Sequence, residues 1–113
     1  MKPYFETKLG KLYNGDCLNF MQEMEDKSVD LVLTDPPYNL NYTGRGEIAN
    51  SFDNDNLDDS AWSVWFNFIL HQTKRVLADN TAIYIWIDWR HYPVVFNLMQ
   101  QFYDIKNCIV KLW

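Results

Sequence analysis

The stretch "TAIYIWI", Thr81 to Ile87, limits the fold of this chain more than any other. Its apolar residues stand at consecutive positions rather than alternating, the pattern of a strand covered on both faces, and such strands belong to parallel sheets. A second run, "VDLVLT" from Val29 to Thr34, is filled by β-branched and aliphatic residues and is stopped by two prolines. "KLYNG" (Lys11 to Gly15) is a weaker strand candidate closed by a turn at Asn14 and Gly15, and "NCIVKLW" (Asn107 to Trp113) is a last one.

Helical spacing separates these runs. Leu18, Met21 and Met24 recur on one face, with Asp16 placed to cap the first turn. Trp62, Trp65, Phe66, Ile69, Thr73, Val76 and Leu77 form one stripe of a longer helix from about Asp59 to Leu77. The acidic residues ahead of it suit its positive N-terminal end, and Lys74 and Arg75 suit its last turn. Pro93 can open a third helix, on which Val95, Met99 and Phe102 share a face. The order strand, helix, strand, loop, helix, strand, helix, strand implies right-handed crossovers and an α/β fold, a mostly parallel sheet flanked by helices. With 113 residues and 48% hydrophobic content the chain is long enough for one core and too short for two, so residues 1–113 are expected to form a single domain.

Charge and cysteine content exclude some functions. The net charge is −5, with acidic residues crowded into "FDNDNLDD" (Phe52 to Asp59), and no Lys and Arg patch is present to neutralise a run of phosphates. Any nucleic acid would be held weakly by this chain alone. Cys17 and Cys108 are far apart and form no metal-ligand pair, which predicts two reduced, partly buried thiols. His71 and His91 have no second His or Cys at ligand spacing, so no metal site is expected. Without an apolar leader or a long apolar run, the chain reads as cytoplasmic and free of membrane spans. The five tryptophans could suggest a stacking surface, but Trp62 and Trp65 follow the core stripe and Trp86 lies in the strand read as buried; core is the expectation for them.

One motif carries chemistry. "DPPY", Asp35 to Tyr38, stands where the strand "VDLVLT" gives out, and the polar segment 39–58 that follows is too long for a mere connection. In open parallel sheets ligands gather outside the carboxyl ends of the strands. An exocyclic amino group on a base is a poor nucleophile until acceptors about 3 Å away hold its hydrogens and stabilise the charge that develops on methyl transfer. Asp35 supplies one acceptor and the Pro36 carbonyl the second, while the rings of Pro36 and Pro37 fix the backbone and contribute no competing N–H. Tyr38 offers a face on which an extruded base can stack, worth roughly 1–3 kcal/mol. Such a site requires the base to be flipped out of its duplex. The plainer alternative is that Asp-Pro-Pro only stops a strand and starts a turn.

"LYNGDCLNFM", "SVDLVLTDPPYNLNY", "FILHQTKRVLADNTAIYIW" and "IKNCIVKLW" together resemble the opening catalytic half of S-adenosylmethionine-dependent DNA amino-methyltransferases, of the class whose catalytic motif precedes the cofactor motif. The resemblance runs from Lys11 to Trp113. It implies a partial Rossmann-like fold, methyl transfer from S-adenosylmethionine to an amino group in DNA, and adenine N6 rather than cytosine N4 as the target, because the motif begins with Asp35. It also implies that Asp35 and the Pro36 carbonyl bind the amino group, that Tyr38 stacks on the base, and that Asp16 lies near the cofactor, although a helix cap explains Asp16 equally well. Tyr42 and Arg45, in the polar loop, are candidates for touching the DNA backbone.

The departure from the pattern is the glycine-rich cofactor motif. Gly10, Gly15, Gly44 and Gly46 are the only glycines, and none forms a Phe-x-Gly-x-Gly-type motif on a strand-to-helix turn. The chain is therefore expected to be a truncated catalytic domain with an incomplete donor pocket, inactive alone, and prone to self-association or to binding a complementary C-terminal half. A non-catalytic interaction fragment, and a methyltransferase acting on RNA or protein amino groups, are the readings it competes with.

Overall fold

The structure, a computed structural model, describes residues 1–39 and 57–111. Tyr42, Arg45 and nearly all of the polar loop lie outside the described residues. Seven elements follow one another: β1 (Phe5–Glu6), β2 (Lys11–Leu12), α1 (Cys17–Gln22), β3 (Val29–Thr34), α2 (Asp59–Val76), β4 (Leu77–Ile85) and α3 (Tyr92–Met99). The chain is thus a small α/β domain.

The two strands with the strongest patterns pair with each other in parallel. Leu31, Val32, Leu33 and Thr34 of β3 stand beside Ala82, Ile83, Tyr84 and Ile85 of β4. α2 carries the chain between them, as a parallel connection requires. Its start is fixed by Asp58, whose carboxylate accepts from the N–H groups of Ser60 and Ala61, both at 3.0 Å. Its end is abrupt. Leu77 turns extended at φ −69° and ψ 130° while its N–H still reaches the Thr73 carbonyl, so β4 begins at Leu77 itself. Continuous pairing waits until Ala82, because the register shifts between Val29 and Leu31 and Asn80 bulges the strand at φ 60°. That bulge is why the periodic pattern places the strand at Thr81 whereas the element starts at Leu77.

The core is built on α2. Trp62, Phe66, Ile69, Leu70, Thr73 and Val76 are buried along one stripe, joined by Leu77 and by Val95 of α3. Leu70 extends the predicted stripe, and Trp65 is half-buried at its margin. Ile85, Ile87, Leu98, Met99 and Phe102 pack around it. α1 is tied to α2 by Arg75, whose guanidinium donates to the carbonyls of Met21 at 2.5 Å and Met24 at 2.9 Å and pairs with Asp26 at 2.6 Å. A helix of six residues has last-turn carbonyls in need of donors, and Arg75 provides them.

Four expectations need correction. Among the described residues the "TAIYIWI" strand is covered on one face only: Ile83 and Ile85 turn toward the helices, whereas Tyr84 (48% exposed) and Trp86 (53%) join Leu31 (53%) and Leu33 (61%) on an open face, so Trp86 is not core. Among the described residues of "NCIVKLW" there is no strand; Ile109 and Val110 are exposed, and no neighbouring strand offers them a ladder. β2 does not join the parallel sheet but pairs antiparallel with β1, through a tight turn in which Thr7 N–H donates to the Gly10 carbonyl at 2.8 Å. Both cysteines are free and exposed rather than partly buried. No helix among the described residues is long and apolar enough to cross a membrane.

Candidate active site

Asp35 is the first residue past the last ladder bond, in which Trp86 N–H donates to the Thr34 carbonyl at 2.9 Å. Pairing stops there because neither Pro36 nor Pro37 has an N–H to donate. The motif therefore stands at the carboxyl end of β3, beside the carboxyl end of β4. Asp35 is exposed, Pro36 is buried, and Pro37 and Tyr38 are half-buried. The turn closes at Asn39, whose left-handed φ of 57° an asparagine tolerates.

Three contacts fasten this turn to the start of α2. The buried indole of Trp62 donates from Nε1 to the Pro37 carbonyl at 3.0 Å. The Asn39 side chain accepts from Leu57 N–H at 2.8 Å and donates to Asp59 at 3.3 Å. Among the described residues nothing donates to the Pro36 carbonyl. Tyr38 folds back so that its hydroxyl donates to Asp35 Oδ1. Burial, then the Asp35 hydrogen bond and charge, then the charge of Asp88, push the Tyr38 phenol up to about 12. Among the described residues, Asp35 Oδ2 and the Pro36 carbonyl accept no hydrogen bond from the protein. Two adjacent acceptors can hold both hydrogens of one amino group.

The end of β4 adds Asp88, Arg90 and His91. Arg90 forks onto Asp88 with Nε at 2.7 Å, which holds the Asp88 carboxyl below its ordinary value. The His91 ring lies 5.5 Å from that of Trp62, its Nε2 is 3.7 Å from Asp59, and its buried Nδ1 has no hydrogen-bond partner among the described residues. Sequence reasoning passed over Asp88, although its place directly after an apolar strand marks the same sheet end as DPPY. It also missed that Trp62 and Asn39 act on the motif, which no one-dimensional pattern reveals.

Asp16 is not brought to this cluster. Its Oδ1 accepts from Leu18 N–H at 2.8 Å as the cap of α1, and it stands exposed. A shallow groove between α2 and α3, bounded by Val64, Phe68 and Leu98, contains none of the DPPY residues. Among the described residues no three His, Cys, Asp or Glu side chains converge as a metal site would need.

Residues 29–112 match the family model of a DNA methylase, the N6 and N4 methyltransferases. The Type II methyltransferase M.BamHI of Bacillus amyloliquefaciens is 38% identical over 88 residues, covering 76% of this chain and 19% of that protein. The Type II methyltransferase M2.MboI of Moraxella bovis is 34% identical over 103 residues, 83% of this chain and 37% of its own length. The DNA adenine methyltransferase YhdJ of Escherichia coli (strain K12) is 26% identical over 106 residues, 94% of this chain and 34% of YhdJ. The chain thus spans well under half of each relative, and the matched part contains the parallel strand pair and the turn at its end. The chain belongs to the DNA methylase family of N6 and N4 methyltransferases.

Proposed function

We propose that this chain is the base-holding part of a DNA adenine N6 methyltransferase that uses S-adenosylmethionine. The observation that carries the reading is the pair of acceptors, Asp35 Oδ2 and the Pro36 carbonyl, which take no hydrogen bond from the described residues and stand at the carboxyl end of a parallel strand in a chain of this family. In this reading they draw the two hydrogens of the adenine amino group into line and stabilise the positive charge that builds on its nitrogen. Asp35 at the head of the motif, and a relative described as a DNA adenine methyltransferase, favour adenine over cytosine N4. Tyr38 stacks on the flipped base once its hydroxyl leaves Asp35, and Tyr42 and Arg45 touch the flanking backbone.

S-adenosylmethionine supplies the methyl group when bound. The described residues do not by themselves fit it: Asp16 spends one carboxylate oxygen on the α1 cap and stands on an exposed edge, with no enclosing wall. The reading therefore assigns the donor site, and the completion of a Rossmann-like sheet, to methyltransferase polypeptide beyond these 113 residues. Its place would be the open face formed by Leu31, Leu33, Tyr84 and Trp86, since lone apolar faces of this kind mark contact surfaces. The relatives, several times longer than the part they share with this chain, favour that occupant over a second copy.

A chimera tests the reading. This chain replaces the matched segment of YhdJ, and unmethylated DNA is incubated with labelled S-adenosylmethionine and digested to nucleosides. Label is expected in N6-methyladenine, lost by at least about a hundredfold on Asp35→Ala. The 113-residue chain alone is expected to give none. Label in N4-methylcytosine would overturn the adenine assignment, and an Asp35→Ala chimera as fast as its parent would overturn the role of Asp35.

A further inference from the structure

A motif with two consecutive prolines presents two carbonyls, and the side chains around it distinguish them. The Pro37 carbonyl is taken by the Trp62 indole at 3.0 Å, while the Pro36 carbonyl has no donor among the described residues. From this contact we infer that Trp62 is a positioning residue: it withdraws the Pro37 carbonyl and fixes the turn so that the Pro36 carbonyl alone is offered, beside Asp35, to the amino group of the base. The inference rests on the base-holding reading above.

The backbone explains why one hydrogen bond is enough. The proline rings set φ at positions 36 and 37, and the ring of Pro37 restricts ψ of Pro36 to the extended range. The torsion left open is ψ of Pro37, which turns the Pro37 carbonyl and everything after it. Trp62 closes that freedom. Its own position is not adjustable, because the indole is fully buried, stacked on Phe66 with ring centroids 4.9 Å apart and flanked by Trp65 and His91. Asn39 then holds the far end of the turn through Leu57 and Asp59. The turn is thus fastened before and after Tyr38.

A buried indole N–H always seeks an acceptor, so a purely structural role for the contact is the alternative. Trp62→Phe separates the two, since phenylalanine keeps most of the ring packing and removes the donor. In the isotope-labelled chain, the Pro37 carbonyl carbon resonance is expected to shift in Trp62→Phe and the Pro36 carbonyl resonance is expected to stay. Adenosine is then titrated into both proteins. In the parent, the Asp35 carboxylate and Pro36 carbonyl resonances should respond. In Trp62→Phe the Pro37 carbonyl resonance should respond as well, since that carbonyl is no longer held by the indole. An unchanged Pro37 resonance, or an adenosine response identical in both proteins, overturns the inference. Should Trp62→Phe fail to fold, the unaltered chain still decides: a scalar coupling across the hydrogen bond, from the Trp62 Nε1 nitrogen to the Pro37 carbonyl carbon, is expected, and its absence counts against the clamp. If adenosine moves no DPPY resonance in the parent while that coupling is present, the clamp stands and the base-holding reading is what fails.

Discussion

The two faces of the β3–β4 pair are built from the same kind of residue and meet opposite fates. On one, Val32, Ile83 and Ile85 turn toward α2 and α3, where Trp62, Phe66 and Leu70 are wholly out of water. On the other, Leu31, Leu33, Tyr84 and Trp86 remain about half exposed. Alternate positions of a strand face opposite ways, so an unbroken apolar run describes a strand that can be covered twice, and the described residues provide one cover. A side chain's apolar character therefore states what it can bury against. Its neighbours determine whether it does.

The largest expected effect breaks or upholds that contrast directly. Phe66→Ala should destabilise the chain by about 3–5 kcal/mol, through lost burial and the cavity left beside Trp62. Leu33→Ala, on the open face, should change stability by about 0.5 kcal/mol or less. Chemical denaturation of both variants measures the difference. Equal losses would mean that the open face is covered in solution, and a concentration-dependent loss for Leu33→Ala would identify the cover as a second copy of the chain.

Arg75→Ala gives the next effect. The guanidinium joins the covered side of the sheet to α1, and its removal leaves the Met21 and Met24 carbonyls without that donor. A cost of about 1–3 kcal/mol is expected, with α1 loosening first. Arg75→Lys should recover only part of it, because an ammonium cannot reproduce the planar fork. Amide hydrogen exchange in α1 reads the local loosening; protection in α1 unaltered in Arg75→Ala would remove Arg75 from the account.

How far the sequence foretold this arrangement differs between elements for physical reasons. β3 and α2 were legible almost to the residue, because each has a sharp stop or start: prolines end one and Asp58 caps the other. β1 was not, since two residues are too few to show a period. The terminal run "NCIVKLW" has strand composition, yet composition cannot supply a neighbouring strand, and Trp86 was assigned to the core on the assumption of a second cover. At the site, the place of DPPY at a strand end was legible from the prolines and the polar segment after them. The distinction between its two carbonyls was not, because the stripe that marks Trp62 as buried says nothing about where its N–H points. Asp16 was legible as a cap, and the structure adds only that use.

The DPPY turn stands at the rim where the two faces meet, and Tyr38 shows which of them it resembles. Burial, the contact with Asp35 and the charges of Asp35 and Asp88 all favour the neutral phenol, so its ionisation is pushed up to about 12 from an ordinary 10.0. A group whose value is raised on folding stabilises the folded chain fully below its unfolded value and loses that contribution as pH rises through the folded one. Tyr38 should therefore be neutral, with its bond to Asp35 intact, up to about pH 10, and that contribution should fade between about pH 10 and 12. Carbon NMR of the tyrosine ring, followed by residue, measures it. Asp35→Asn should lower the Tyr38 value only partway, since burial, the largest cause, remains. A return all the way to 10 would mean that the carboxylate alone holds the phenol and that the turn belongs with the open face; no change at all would mean that the ring is held by the covered side and that Asp35 is free without it.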